Sequence, residues 1–242
     1  MNSTKSIDLI RLVNLKLSKL NEKIVYVGGA TLPFFANNAF LEKIRPTEDV
    51  DCLVHVVGHF RQMEKKLEAI GIHLDTTSHV RCRFRVNGLT VDVMTTNPDG
   101  GGSSSKWYES GFSNSVERQL ATGEKINTLD YMHFLATKIN AFGDRGEADP
   151  LFSKDLEDIA LILADDATFT EEVNECTNTE LKTYVTEGIY RIKKDPFLLD
   201  ALKAQSPRVF VKKVKDATVT LKGGHKCDCP CRGKKHGKNK VR

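Results

Sequence analysis

The residue patterns predict an α/β protein: a mixed sheet with interspersed helices, followed by a helical C-terminal half. Short β-branched runs at residues 24–27, 49–56, 80–86 and 89–94 alternate with helical periodicity at 7–20 and 60–70. Beyond residue 129 only helix-period patterns follow, at 129–142, 153–164 and 170–205. The chain has 242 residues, 40% of them apolar and 28% charged, which is ordinary globular composition and long enough to bury a real core. No run approaches the roughly 20 apolar residues that a membrane span needs. The start of the chain lacks the uninterrupted apolar core of a secretion signal. The expected location is the cytoplasm, with no membrane partner.

Each element has its own reason. Ile7, Ile10, Val13, Leu17 and Leu20 recur at helical spacing and predict a first amphipathic helix. Ile24 to Val27 reads as a buried strand ending at Gly28-Gly29, with a helix expected over residues 30–41. Pro46 disfavours helix at Arg45, so residues 45–48 are a loop. From Asp49 to Val56 the chain alternates, placing Val50, Cys52, Val54 and Val56 on one face and Asp49, Asp51 and Leu53 on the other. Asn87-Gly88 between two apolar runs is the signature of a two-residue hairpin turn. Residues 97–105, rich in Gly and Ser, read as a loop. The domain organisation expected is a core over residues 1–106, a helical region over 107–207 that completes a cleft, and a tail over 208–242.

The sharpest chemical feature is Asp49-Val50-Asp51. Residues two apart in a strand share a face, so two carboxylates point the same way while Val50 and Cys52 enter the core. Asp92, flanked by Val91 and Val93 in the next apolar run, adds a third. Such carboxylates can be the solvent face of an amphipathic sheet. They can equally hold two Mg²⁺ ions for in-line phosphoryl displacement, with Asp49, Asp51 and Asp92 as the ligands. Gly28 and Gly29, between a strand and a helix, let backbone N–H groups approach phosphates.

With a two-residue turn, Arg83 opposes Asp92, and Arg81, Arg83 and Arg85 share the face of the carboxylates. Arg83 then either forms a cross-strand ion pair with Asp92 or binds triphosphate. Lys138 falls within the apolar stripe of the helix at 129–142, with His133 and Asn140 on the opposite, exposed side. A lysine there snorkels or points into a cleft, where it would neutralise NTP phosphate. Asp155, at the start of the next helix, is placed either to orient Lys138 or to complement the helix dipole behind the Ser153 cap. Trp107-Tyr108 offers rings that could stack on a base or simply pack.

The combination of an apolar strand with Gly28-Gly29, then Arg45-Pro46-Thr47-Glu48-Asp49-Val50-Asp51, then Asp92 on an isolated strand, resembles the nucleotidyltransferase superfamily with a polymerase-β-like core. Phe134 to Phe142, Asp144-Arg145-Gly146 and Ser153-Lys154-Asp155-Leu156-Glu157-Asp158-Ile159 narrow the resemblance to the AbiEii/AbiGii toxin type, over roughly residues 24–165. The resemblance implies Mg²⁺-dependent transfer of a nucleotide from an NTP. The expected nucleotide-binding residues are Gly28, Gly29, Thr31, Lys138, Asp155 and Arg83. In the best-understood relatives the acceptor is the 3′ end of tRNA and the protein is the toxin of a toxin–antitoxin pair, so RNA and a cognate antitoxin are the partners implied. Many relatives carry Gly-Ser at the phosphate loop; here the second position is Gly29, and Thr31 is the nearest hydroxyl. Two other classes fit the same residues: a small-molecule, antibiotic-type nucleotidyltransferase and a catalytically silent nucleotide or RNA binder.

The chain is +4 overall, but residues from Arg208 onward carry twelve Lys/Arg against Asp216 and Asp228, a net +10, leaving −6 for residues 1–207. A basic appendage on an acidic body suits a polyanion such as RNA. The cysteines divide the same way. Cys52, Cys82 and Cys176 are scattered and read as reduced, mostly buried thiols. Cys227, Cys229, Cys231 and His236 are clustered, and part of that run is similar to the start of a SEC-C zinc motif. A disordered, basic RNA-binding tail is the competing reading.

Overall fold

A computed structural model describes residues 2–56, 59–96 and 105–205. Among these described residues seven strands form one mixed sheet. They are β1 (Ile24–Val27), β2 (Asp49–Val54), β3 (His73–Leu74), β4 (Arg83–Val86), β5 (Leu89–Thr95), β6 (Val116–Gln119) and β7 (Lys125–Thr128). Their order is β3-β4-β5-β2-β1-β7-β6. β2 runs parallel to β5 and β1 parallel to β7, while the remaining neighbours are antiparallel. The α/β fold with a mixed sheet and a helical C-terminal region is thus the fold observed.

The helices are α1 (Asn2–Leu17), α2 (Arg61–Ala69), α3 (Tyr108–Ser113), α4 (Tyr131–Ala141), α5 (Lys154–Ile162), α6 (Asp166–Glu175), α7 (Thr179–Lys194) and α8 (Pro196–Gln205). Period-2 alternation in the central strands divides the core in two. Tyr26, Val50, Cys52, Val54, Val91 and Val93 pack with Ile10, Val13 and Leu17 of α1 and Met63 and Leu67 of α2. On the other face Val25, Val27, Leu53 and Met94 join the buried residues of α4, α5, α7 and α8. None of the described helices is long and apolar enough to cross a membrane.

Most elements fall where their patterns place them. The Asn87-Gly88 turn has both residues at positive φ (49° and 80°), as a type I′ turn requires, and it sets Val86 opposite Leu89 and Arg83 opposite Asp92. Three differences have physical causes. Residues 30–41 form two 3₁₀ segments, Gly29–Phe34 and Asn38–Lys43, instead of an α-helix. Pro33 removes a helical donor there, and Asn37 starts the second turn by accepting from the Ala39 amide at 3.0 Å. The hairpin β6–β7, where only helix was expected, extends the sheet beside β1. Its strands bury little beyond Ile126 and Thr128, so they carry no legible alternation. Finally, α4 has no solvent face. His133 is 2% exposed and links Asp130 (2.7 Å) to Ser110 on α3 (3.0 Å), because α3, α5, α6 and α7 all touch this helix. Cys52 and Cys82 are buried, and Cys176 is half-buried.

Candidate active site

The parallel register of β2 and β5 sets Asp51 directly beside Asp92, with Asp49 two residues earlier on the same face. That face looks toward the helical half. Leu53 is sealed under it, but Asp49 and Asp51 at the opening end of β2 are only half-buried. They line a cleft of about 580 Å³ together with Asp92, Gly28, Gly29, Arg83, Lys138 and Asp155. Such a volume lies within the range of small-molecule and cofactor sites. The cleft therefore collects nearly every candidate residue, although they are scattered across more than a hundred positions.

Charge repulsion shapes the floor. Burial first, and then the neighbouring Asp49 and Asp92 carboxylates, push the Asp51 carboxyl up from 3.8 to about 7; Lys138 and Arg145 pull partly against this. Arg83 relieves the rest of the cluster. Its Nε and Nη2 donate to the two carboxylate oxygens of Asp92 at 2.8 and 2.7 Å, and Nη2 stands 3.7 Å from Asp49. The fork-on-carboxylate geometry, led by the bonds to Asp92, raises the guanidinium's pKa further. Arg85 turns away to Asp75 at 2.8 Å, and Arg81 lies in the turn before β4, so the three arginines form no common row.

The glycine loop closes over the same floor. Gly28 sits at φ 71°, and a Cβ there would collide with the Asp51 carboxylate. Only glycine combines that backbone with that proximity. A Cβ at Gly29 would meet Arg45 Nη2 at 3.1 Å. Thr31 lies beneath the loop, 1% exposed, and its hydroxyl donates to the Gly28 carbonyl at 2.9 Å; it does not line the cleft. Its structural task is to tie the loop. Thr47, by contrast, lines the cleft and donates to Asp49 Oδ1 at 2.9 Å.

The wall opposite the sheet is an ionic cluster. Lys138 is 6% exposed; its ammonium lies 3.2 Å from Asp155 Oδ1 and pairs also with Asp158, which is fully buried. Burial alone would lower the lysine's pKa, but Asp158 and Asp155 outweigh it and hold it above the ordinary value. Burial likewise opposes ionisation of Asp155, and the facing Lys138 and Arg145 overcome it, keeping the carboxyl below its usual range. Arg45 completes the cluster, 3.3 Å from both Asp158 and Glu157. Lys138 thus faces the cleft as its sequence position suggests, but already paired with two carboxylates.

The freer cation is Arg145. α4 ends in a wide π turn over Phe142–Gly146, closed by the Glu147 amide donating to the Phe142 carbonyl at 3.1 Å. That turn delivers Arg145 onto Asp155 (2.9 Å) while leaving its side chain 71% exposed on the cleft. Sequence reasoning assigns no role to Arg45 and marks Arg145 and Asp158 only through family motifs. The spacing of Asp155 and Asp158, three apart on one helix face, was the available signal for the pair that holds Lys138. Trp107 is 4% exposed and packs near Tyr184 at 5.1 Å, so it offers no ring to a base.

Three carboxylates with oxygen donors only, one of them protonated easily because of burial and the two like charges beside it, suit a hard divalent cation in their chemistry. Among the described residues no group of three or more His, Cys, Asp or Glu stands arranged to hold a metal ion. Arg83 fills that electrostatic need instead. Cys227, Cys229, Cys231 and His236 lie outside the described residues.

No family model matches the chain, and no curated protein matches its sequence. Among solved structures it is similar to the antibiotic-resistance factor ANT(2'')-Ia, with a TM-score of 0.43 and 12% identity over 79% of this chain and 94% of that one. It is also similar to an antigenic nucleotidyltransferase-like protein from Paracoccidioides brasiliensis, with a TM-score of 0.49 and 17% identity over 88% of this chain and 99% of that one.

Proposed function

We propose that this chain is a nucleotidyltransferase that moves a nucleoside monophosphate from an NTP onto RNA, at the 3′ end of tRNA. The observation that supports transfer is the convergence of Asp49, Asp51 and Asp92 under the Gly28-Gly29 loop, opposite a wall bearing Arg145 and Lys138. The acceptor oxygen would attack the α-phosphorus, and pyrophosphate would leave. Asp49, Asp51 and Asp92 would hold Mg²⁺, two ions in the expected arrangement. When bound, the metal would supply Lewis-acid polarisation of the phosphoryl oxygens and a lower pKa for the acceptor hydroxyl.

The remaining roles belong to the chain's own residues. Asp92, once Arg83 releases it, would accept the hydroxyl proton. Gly28 and Gly29 would bring backbone N–H groups against the phosphates. Arg145 and the displaced Arg83 would bind the triphosphate as fork donors. Lys138, Asp155, Asp158 and Arg45 would fix that wall in place, so Lys138 would stabilise developing charge from a preorganised position. The net +10 of residues 208–242 supports RNA as acceptor. The resemblance to the AbiEii/AbiGii type extends the reading to a toxin with an antitoxin partner.

The test is incubation of the full chain with each α-labelled NTP, Mg²⁺ and total RNA, followed by denaturing electrophoresis and pyrophosphate detection. Label in a tRNA-sized band and its loss in Asp51→Asn are expected. Absence of both label transfer and pyrophosphate release with all four NTPs would remove the reading.

A further inference from the structure

We propose that Phe152 is the stacking platform for the nucleobase of the bound NTP; this rests on the nucleotidyltransferase reading above. Phe152 is 83% exposed and lines the same cleft as the carboxylates. A single exposed apolar side chain is ordinary. This one differs because its backbone is fixed while its ring is left over. The 3₁₀ turn Pro150–Phe152 is anchored by the buried Pro150, and Ser153 immediately afterwards caps α5 by accepting from the Leu156 amide at 3.3 Å. A phenylalanine just before a cap ordinarily staples onto the fourth helical residue. That residue here is Glu157, which faces Arg45 at 3.3 Å, so no staple forms.

The location selects the ligand. Phe152 stands on the wall of Arg145, Lys138 and Lys154, all of which line the cleft. A triphosphate drawn to those cations carries its own planar base on the same molecule. Across the cleft, Val80 and Met94 add apolar lining from the β4–β5 side, so a flat ring can enter there without losing a charged partner. Every base has a π face, so stacking of this kind binds all four with little preference. The ring then contributes affinity and leaves base choice to other groups.

Calorimetric titration of the full chain with ATP, UTP and inorganic tripolyphosphate tests this, beside titration with a short single-stranded RNA. Phe152→Ala is expected to weaken ATP and UTP by about tenfold, equivalent to about 1.4 kcal/mol, and to leave tripolyphosphate unchanged. Phe152→Trp should hold NTP affinity at or above the parent's, since it keeps a π face. Melting temperatures should match throughout, because the ring is in solvent. Equal NTP affinity in parent and Phe152→Ala overturns the assignment while leaving the transferase reading intact. Loss confined to the RNA titration also overturns it, placing the ring on the acceptor side. A parent chain that binds no NTP removes both proposals together.

Discussion

Replacing Asp51 by Asn should stabilise the metal-free protein, and the gain should depend on pH in one direction. Asp51 keeps its proton up to about pH 7 in the folded state and to 3.8 as an ordinary aspartate. Between those values the unfolded chain has released a proton that the folded chain still holds. The protonated carboxyl's contribution is therefore fully present below 3.8 and is lost as pH rises through about 7. At roughly 1.4 kcal/mol per pH unit, the full displacement corresponds to an upper bound of about 4 kcal/mol. The side chain is half-buried, so water screens part of it, and a gain on the order of 1–2 kcal/mol is the working figure. Asn has nearly the same shape and no charge to expel. Urea denaturation of both proteins in chelator at pH 4, 5.5, 6.5 and 7.5 reads the difference directly. The curves should coincide near pH 4 and separate toward neutrality. Millimolar Mg²⁺ at pH 7.5 should raise the stability of the parent and leave the variant unmoved. A difference that is constant with pH, or largest at pH 4, would refute the account of an Asp51 carboxyl held up by burial and by the charges of Asp49 and Asp92.

Lys138→Met should destabilise the fold by about 3 kcal/mol as well as reduce turnover, since it leaves the fully buried Asp158 with Arg45 as its remaining partner; adding Asp158→Asn should recover part of that loss in urea melts. Gly28→Ala should lower transfer on the order of 10²-fold, because its Cβ would meet the Asp51 carboxylate at a positive φ, and single-turnover kinetics would show it. A chain ending at residue 207 should bind single-stranded RNA more weakly, with a log K against log salt slope shallower by roughly 0.7 for each phosphate that the tail no longer neutralises, while its ATP titration stays the same.

Local pattern alone determined the sheet-forming runs, the type I′ turn at Asn87-Gly88 and its register, and the shared face of Asp49 and Asp51. All of these depend on periodicity and on residues within a few positions of one another. The parallel pairing of β2 with β5 brought Asp92 beside the two aspartates. Polar segments with little to bury were not legible, as the β6–β7 hairpin shows: pairing with β1 makes those strands, and their own composition does not. Only the tertiary structure decided what the carboxylate face looks upon. The same alternation would describe an acidic surface open to water; packing of α4 and α5 across the sheet turns it into one side of a cleft. It also decided which cations are available. Lys138 stands out in the sequence as a charge inside an apolar stripe, yet Asp155 and Asp158 engage it, because two facing helices bring buried opposite charges together. Arg145 is left to face Asp51 through a π turn that nothing in its immediate sequence announces. A side chain's type and strand parity are local properties. Its partner is set by whichever element folds against it, and that depends on the whole chain.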